Sequence, residues 1–227
     1  MTGGYRIPYR NKIARLFLRP FFRGLYRILG KVEIIGKENI PESGAYILAQ
    51  NHISTYDVPF VSVFWPEPLE LAGASEVWNR PGQSLLARMY GGIKVHRGQY
   101  DRQLIDTILH LLSCGKPMLI APEGGRSRKP GMKPAKPGVA YLADKAQVPV
   151  IPVGVYGSHE TYLTEASRGK RPLMGMRIGS PITFPQIEVK GKHRRIQLQE
   201  NADTIMRNIA ALLPEEYGGV YGYDDNS

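Results

Sequence analysis

Short apolar runs alternate with amphipathic segments along most of the chain, and this alternation limits the folds that the sequence can adopt. The apolar runs predict β-strands at 31–36, 45–50, 69–72, 92–96, 117–121, 148–155 and 175–179. Apolar side chains at helical spacing predict helices at 58–65, 83–90, 101–113, 138–146 and 194–213. Such alternation is typical of an α/β fold, in which a mixed, largely parallel sheet is flanked by helices and ligands bind at strand ends.

Three segments of different composition divide the 227 residues. Residues 1–30 are expected to form an amphipathic helical segment, residues 31–214 the α/β domain, and residues 215–227 a loosely ordered tail. The single cysteine, Cys114, excludes an intramolecular disulfide and a cysteine metal cluster, and its apolar neighbours predict a buried, inert thiol. The chain shows no signal-peptide pattern and no apolar run long enough to span a bilayer, so we expect a cytoplasmic protein.

The net charge of +10 is concentrated at the N-terminus. The first 31 residues carry eight Arg and Lys and no Asp or Glu. Four arginines recur every fourth residue and form one helical stripe: Arg15, Arg19, Arg23 and Arg27. Apolar side chains at helical spacing form another face: Ile13, Leu16, Phe17, Phe21, Leu25 and Ile28.

A basic amphipathic helix of this kind fits three partners. It can lie in a lipid interface, with its arginines on anionic head groups and its apolar side chains among the acyl chains. Its apolar face can instead pack on the protein core, or its charge can meet nucleic acid. We expect Pro20 and Gly24 to kink the helix or to divide it into two.

The residues at 51–57, Asn-His-Ile-Ser-Thr-Tyr-Asp, lie between a predicted strand and a predicted helix. Ser54 followed by Asp57 indicates a helix start, with Ser54 as the N-cap. A turn at this point can bring His52 and Asp57 together, and a carboxylate that holds an imidazole in one tautomer makes a general base. Ordinary helix capping beside a surface histidine would give the same local pattern.

Two further stretches place arginines beside glycines. Arg97 follows a predicted strand in Gly91-Gly92-Ile93-Lys94-Val95-His96-Arg97, either at a cleft or as a solvated side chain. The second, Pro122-Glu123-Gly124-Gly125-Arg126-Ser127, also follows a predicted strand and begins a basic stretch that runs to Lys136. Glycines let a backbone approach a ligand and arginine forks suit phosphate, so a phosphate-binding loop is indicated over a merely solvated one. The pattern of a nucleotide-binding P-loop is absent.

Together these stretches resemble the glycerolipid acyltransferase family, and in particular its bacterial 1-acyl-sn-glycerol-3-phosphate acyltransferases. The family's Asn-His-x4-Asp motif matches 51–57, its Gly-x-Ile-x-x-x-Arg motif ends at Arg97, and its Pro-Glu-Gly-Thr-Arg-Ser motif matches 122–127. A Lys-x-Gly element begins at Lys136, and a Val-Pro-x-Ile-Pro-Val segment matches 148–153. The departure is Gly125, which stands where the family usually has threonine and which bears on acceptor preference.

The resemblance implies a transferase that moves a fatty acyl group from acyl-CoA or acyl carrier protein to the free hydroxyl of 1-acylglycerol-3-phosphate, making phosphatidic acid in phospholipid biosynthesis. His52 would take the hydroxyl proton and Asp57 would steady the imidazolium. The residues implied around the acceptor phosphate are Arg97, Glu123, Gly124, Gly125, Arg126 and Lys136. Glu123 either positions the glycerol or anchors a neighbouring arginine, and the amides of the Gly124-Gly125 turn are candidates for the oxyanion.

The resemblance implies no cofactor and no metal ion. It implies a membrane phospholipid surface as partner and a peripheral or monotopic enzyme on the cytoplasmic face of the cell membrane, and it makes nucleic acid an unexpected partner. Glycerol 3-phosphate or another lysophospholipid is the alternative acceptor.

Three rival functions stay open at this point. A thioester or lipid-ester hydrolase could use the same pair with water, although hydrolysis gives no reason for Arg97 and Arg126. A metal enzyme would need His52, Asp57, Glu123 and His96 as ligands, without the tight spacing of known metal motifs. A basic membrane or nucleic-acid adaptor would need only the N-terminal stripe.

Overall fold

The computed structural model describes residues 7–127 and 131–222, and within these ranges seven strands form one sheet. The strands are β1 (Lys31–Ile35), β2 (Ile47–Gln50), β3 (Glu70–Ala74), β4 (Ile93–Val95), β5 (Met118–Ile120), β6 (Val150–Tyr156) and β7 (Leu173–Ile178). The α-helices are α1 (Tyr9–Leu29), α2 (Asp57–Phe64), α3 (Gln83–Tyr90), α4 (Arg102–Ser113), α5 (Gly138–Ala146), α6 (Tyr162–Ser167) and α7 (Gly191–Ala210).

The sheet is mixed and largely parallel, in the order β1-β7-β6-β2-β5-β3-β4. Strands β6, β2, β5, β3 and β4 all run in one direction, whereas β7 is antiparallel to β6 and carries β1 parallel to itself. With helices on both faces, this arrangement confirms the predicted fold class. Because parallel strands end at the same edge of a sheet, the loops after β2, β4 and β5 meet at what we call the carboxyl edge.

Each face of the sheet buries its own apolar core. Ile47 and Ala49 of β2 pack in a core with α4, α5 and α7, whereas Leu48 packs in a core with α1, α2 and α6. All four residues of β2 are buried, as expected for a central parallel strand that is covered on both faces. The strand therefore gives a fixed base to the loop that follows Gln50.

Helix α1 turns its arginine stripe toward the protein. Arg15 is buried and forms a two-pronged ion pair with Glu70, with both N–O distances 2.8 Å. Arg19 and Arg23 donate to the backbone carbonyl of Trp65. The prediction that this stripe meets lipid head groups is therefore wrong for Arg15, which is buried, while Arg19 and Arg23 each direct at least one donor into the fold.

The apolar face of α1 is turned to solvent instead. Its exposed large side chains are Tyr9, Ile13, Leu16, Phe17, Phe21 and Ile28. The alternative in which this face packs on the core is thus wrong. The helix also runs undivided through Pro20, so the predicted split into two helices does not occur. Within residues 7–127 and 131–222, no helix has both the length and the apolar character needed to cross a bilayer.

Two local expectations differ from the structure. The C-terminal residues up to 222 are ordered, with 3₁₀ turns at Glu215–Tyr217 and Gly219–Tyr221 and a buried Tyr217, although a loose tail was expected there. Residues 223–227 of that tail, and residues 1–6 of the N-terminal segment, lie outside the described residues. Cys114 is exposed rather than buried, with its Sγ 3.6 Å from His110 Nε2.

Candidate active site

The turn after β2 brings His52 and Asp57 together at the carboxyl edge. His52 Nδ1 lies 2.9 Å from Asp57 Oδ2, and Asp57 is fully buried while the histidine side chain keeps 16% of its surface exposed. For Nδ1 to donate to the carboxylate it must carry the ring proton, which leaves Nε2 as the nitrogen that can accept one. The bend predicted between the two residues is present, because α2 begins only at Asp57.

The Asp57 carboxylate organises this turn. Its Oδ2 accepts from the backbone amides of Ile53 (2.7 Å) and Ser54 (2.9 Å), and its Oδ1 accepts from the Ser54 hydroxyl (3.1 Å). Ser54 is not the helix N-cap that its spacing predicts, since α2 starts three residues later and its N-cap residue is Tyr56. With so many donors, the carboxylate is fixed in the orientation that holds the imidazole.

The loop at 122–127 forms hydrogen bonds with both the backbone amide and the backbone carbonyl of His52. The amide of His52 donates to Glu123 Oε1 (2.8 Å), and the carbonyl of His52 accepts from the amide of Ser127 (2.8 Å). The other oxygen of Glu123 accepts from the amide of Lys133 (3.0 Å). Glu123 thus links its own loop to the backbone at His52 and at Lys133. This role differs from the two expected from the sequence, which were to position the glycerol or to anchor an arginine.

Burial governs the ionisation of Glu123. The carboxyl group is 4% exposed, and burial raises its pKa above the ordinary value, while the amides of Lys133 and His52 act in the opposite direction. Its hydrogen bonds to backbone amides satisfy the buried oxygens, so its place in the site is that of a support for the two loops.

Two cations lie against the paired glycines. A Cβ added to Gly125 would lie 3.4–3.5 Å from the guanidinium atoms of Arg97, and one added to Gly124 would lie 2.8 Å from Cδ of Lys136. Gly124 also has a left-handed φ of 66°, which favours glycine. The structure therefore brings together Arg97, the glycine pair and Lys136, which lie far apart in the sequence. Arg126 follows directly, and its carbonyl accepts from the ammonium group of Lys133.

One of the glycine amides is available for an oxyanion. The amide of Gly124 donates to the carbonyl of Ala121 (3.0 Å), so it is used within the turn. The amide of Ser127 is used by His52. Of the two amides proposed from the sequence, that of Gly125 is the one without a recorded acceptor among the described residues.

Asn51 has a structural role that its place in the motif did not reveal. Its side-chain amide donates to the carbonyl of Val155 (2.8 Å), and its side-chain oxygen accepts from the amide of Val155 (2.7 Å). The side chain thereby continues the pairing of β2 with β6 beyond the last strand residue. An asparagine directly after the residues of a predicted strand is the sequence signal that could have predicted this pairing.

The C-terminal 3₁₀ turns form hydrogen bonds with the loop at 131–136, and no periodicity in the sequence predicts these turns. Met132 donates its amide to the carbonyl of Tyr217 (3.1 Å). The Tyr221 hydroxyl accepts from the amide of Ala135 (2.8 Å) and donates to Asp203 Oδ1 (2.6 Å). The loop that supplies Lys136 is therefore fixed from outside by a segment that was expected to be loose.

The possible metal ligands do not come together. Across residues 7–127 and 131–222, no three His, Cys, Asp or Glu side chains form a group that could hold a metal ion. The set of His52, Asp57, Glu123 and His96 is thus not assembled. Among the described residues, the site does contain an imidazole held by a carboxylate, a glycine amide without an acceptor, and nearby cations.

Comparisons with known proteins agree with this chemistry. The family model described as Acyltransferase matches residues 31–156, which include every predicted site residue. The human protein named 1-acyl-sn-glycerol-3-phosphate acyltransferase alpha is 27% identical over 92% of this chain and 76% of its own length. Its mouse counterpart is 29% identical over 69% of this chain and 55% of its own length.

A relative from Caenorhabditis elegans is 29% identical over 61% of this chain and 53% of its own length, so the chain spans just over half of the worm and mouse proteins. Among solved structures, the crystal structure of the 1-acyl-sn-glycerophosphate acyltransferase PlsC from Thermotoga maritima superposes with a TM-score of 0.62. That alignment covers 85% of this chain and 78% of the other at 21% identity, a level that establishes a shared fold.

Proposed function

We propose, from the premise that the chain belongs to the acyltransferase family, that it transfers a fatty acyl group to the free hydroxyl of 1-acylglycerol-3-phosphate. The donor is a thioester, acyl-CoA or acyl carrier protein, and the product is phosphatidic acid. The observation that carries this proposal is the hydrogen bonding of the His52 backbone to the loop whose glycines lie against Arg97 and Lys136. A base and a set of phosphate ligands are thereby held at a fixed separation.

The reaction follows from the positions of the side chains. Nε2 of His52 takes the proton of the acceptor hydroxyl while its oxygen forms a bond to the thioester carbonyl carbon. Asp57 stabilises the imidazolium that results. When the tetrahedral intermediate breaks its C–S bond, the imidazolium returns the proton to the leaving sulfur, so that one thiol is released for each ester formed.

The remaining groups hold the reactants. The acceptor phosphate is bound by Arg97, Lys136 and Arg126, which brings the glycerol hydroxyl to the base. This binding offsets, before the chemical step, part of the entropy that the reactants lose when they come together. The amide of Gly125 donates to the developing oxyanion. With glycine at this position, no side chain fills the space beside the Arg97 guanidinium, and this space is where acceptors of different size are distinguished.

We also propose that α1 attaches the enzyme to the cytoplasmic face of the cell membrane as a peripheral or monotopic protein. The support is its exposed apolar face, from Tyr9 to Ile28, which includes Phe17 (67% exposed) and Phe21 (64% exposed). Helix α3 packs beside α1 and adds Leu85, which is 61% exposed. Burial of such side chains among acyl chains would stabilise the bound state by about 1.5–3 kcal/mol for each fully buried large side chain.

The test is acyl transfer from a long-chain acyl-CoA in mixed micelles, with free thiol and acylated lipid both quantified. Lysophosphatidic acid, glycerol 3-phosphate and lysophosphatidylcholine are offered as separate acceptors. Equal amounts of thiol and phosphatidic acid with lysophosphatidic acid would support the proposal. Thiol release without any acylated product would identify a hydrolase, and preference for one of the other acceptors would replace the substrate proposed here.

A further inference from the structure

A cationic groove lies outside the candidate active site, between the end of α1 and the edge strand β1. Its volume is about 550 Å³, and none of the predicted site residues lines it. Four of the lining residues are cations: Arg27, Lys31, Lys37 and Arg171. Val32, Ile34 and Phe64 supply an apolar floor.

Among the residues that the structure describes, no carboxylate lines this groove, which distinguishes it from an ordinary salt-bridged surface. The ammonium groups of Lys31 and Lys37 form no hydrogen bond or ion pair with any residue in the described ranges, and both side chains are exposed. Glu33, between them in sequence, instead accepts from the Tyr156 hydroxyl. An adjoining cavity of about 640 Å³ shares Arg27 and Lys37 and contains two carboxylates, one of which accepts from the Tyr46 hydroxyl. The first cavity is therefore lined by more uncompensated positive charge than the adjoining one.

Arg171 is held in place by an unusual backbone conformation. Its φ is 49°, in the left-handed region that residues with a Cβ rarely adopt and that costs roughly 1–2 kcal/mol. Its guanidinium donates to the carbonyls of Arg27 (3.1 Å) and Gly30 (3.4 Å) at the end of α1. This contact satisfies the helix terminus and fixes a cation at the rim of the groove.

We propose that this groove binds the head group of an anionic phospholipid in the membrane to which α1 attaches. Lys31 and Lys37 hold the phosphate, and the apolar floor accommodates the part of the acyl chains nearest the glycerol. The side chain of Arg27 lies over the Phe64 ring (5.4 Å to its centroid), and the next residue, Ile28, is 75% exposed on the face proposed to enter the lipid. The groove and the proposed membrane face therefore both include residues at the C-terminal end of α1.

This inference rests on the membrane attachment in the proposed function and gives the head-group role to cations other than the three inward-facing arginines of α1. Arg15 is buried against Glu70, and Arg19 and Arg23 are half-buried with donors directed to backbone carbonyls, so these three are less accessible to an external anion. Lys31 and Lys37 can bind such an anion without any change in the fold.

The experiment compares vesicle binding of the full chain by flotation. One vesicle is phosphatidylcholine alone, and the other contains about one third phosphatidylglycerol, at physiological ionic strength. The variant Lys31→Gln/Lys37→Gln is matched by Lys190→Gln/Lys192→Gln, two exposed lysines at the start of α7 that carry the same change in charge. We expect the preference of the wild type for the anionic vesicle to fall about tenfold or more in the first variant and by about twofold or less in the control.

Each outcome decides the inference. If both double variants lose the preference for anionic vesicles equally, diffuse charge is responsible and the groove is not the binding site. An unchanged preference in the Lys31→Gln/Lys37→Gln variant, or no vesicle binding by the wild type, would also overturn the inference. Acyl transfer in detergent micelles, measured on the same preparations, separates this result from the proposed reaction. A protein that transfers acyl groups normally but shows no groove-dependent preference retains the reaction and loses this site.

Discussion

The cations of α1 and the cations of the carboxyl edge belong to the same chemical class and lie in opposite environments. Arg15 is buried against Glu70, and Arg19 donates to a backbone carbonyl. The side chains of Arg97 and Lys136 are exposed beside glycines and make no hydrogen bond or ion pair within the described residues. Spacing in the sequence alone therefore does not separate cations that stabilise the fold from cations that can bind a ligand, because only the structure shows which acceptors each cation has.

The largest expected effect is a loss of stability on replacing Arg15, a cation that is buried within the fold. Arg15→Leu leaves the buried Glu70 carboxylate without its cation, so we expect a loss of about 3–5 kcal/mol in the free energy of unfolding. Urea denaturation measures it, with the exposed Arg10→Leu of the same helix as the control. Acyl transfer per folded molecule should change little, and a variant as stable as the wild type would show that the pair does not hold α1.

The matching change at the carboxyl edge should act on the substrate instead. Lys136→Gln removes a charged donor to the acceptor phosphate, and we expect the KM for lysophosphatidic acid to rise about 10- to 100-fold. The midpoint of thermal unfolding should stay unchanged, because the ammonium group supports no other part of the fold. Lys116→Gln, an exposed lysine before β5, is the control. A fall in stability with an unchanged KM would place Lys136 with the structural cations.

A third change tests the support between the two loops. Glu123→Gln turns an amide NH₂ group toward one of two backbone N–H donors, which should lower the free energy of unfolding by about 1–3 kcal/mol. Because burial raises the pKa of Glu123, its protonated form is favoured in the folded state. The stabilisation that this proton binding gives is complete below the ordinary pKa and is lost as the pH rises through the raised pKa.

The deficit of Glu123→Gln relative to the wild type should therefore be greatest in acid and should shrink toward neutral pH. Urea denaturation of both proteins across this range measures the difference, in which other titrating groups cancel. A deficit that grows toward neutral pH would contradict the raised pKa.

The smallest expected effect concerns Tyr221, whose hydroxyl connects the C-terminal turns to the loop at 131–136. Tyr221→Phe removes the acceptor of the Ala135 amide and the donor to Asp203, at a cost of about 1 kcal/mol in stability. Since Ala135 precedes Lys136, the KM for the acceptor should rise a few-fold while kcat stays near that of the wild type. Tyr100→Phe, at an exposed tyrosine, is the control. If the two variants have the same KM and the same stability, the contacts of Tyr221 do not support the substrate site.

The fold and the pairing of His52 with Asp57 could be predicted because their signals are local. Strands such as β2 are short apolar runs, and His52 and Asp57 are five residues apart on one turn. The direction of the arginine stripe could not be predicted, because its acceptors, Glu70 and the carbonyl of Trp65, lie 40 or more residues away along the chain.

The errors at Ser54 and at the tail have related causes. The spacing from Ser54 to Asp57 predicts a cap, but the buried carboxylate takes the amides of the turn and helix α2 begins later. The tail has few apolar residues and no periodicity, and it is ordered by tyrosines that reach Asp203 and the loop at 131–136. Contacts of this range leave no pattern in a single sequence.

The proposed role of His52 is tested by the rate of phosphatidic acid formation by His52→Ala beside the wild type, in the same micelles and with folding verified by the unfolding midpoint. We expect this rate to fall about 10²–10⁴-fold, because the general base is lost while the proposed phosphate ligands remain. The KM for lysophosphatidic acid should change little. If a folded His52→Ala protein forms phosphatidic acid at the wild-type rate, His52 is not the base of this reaction.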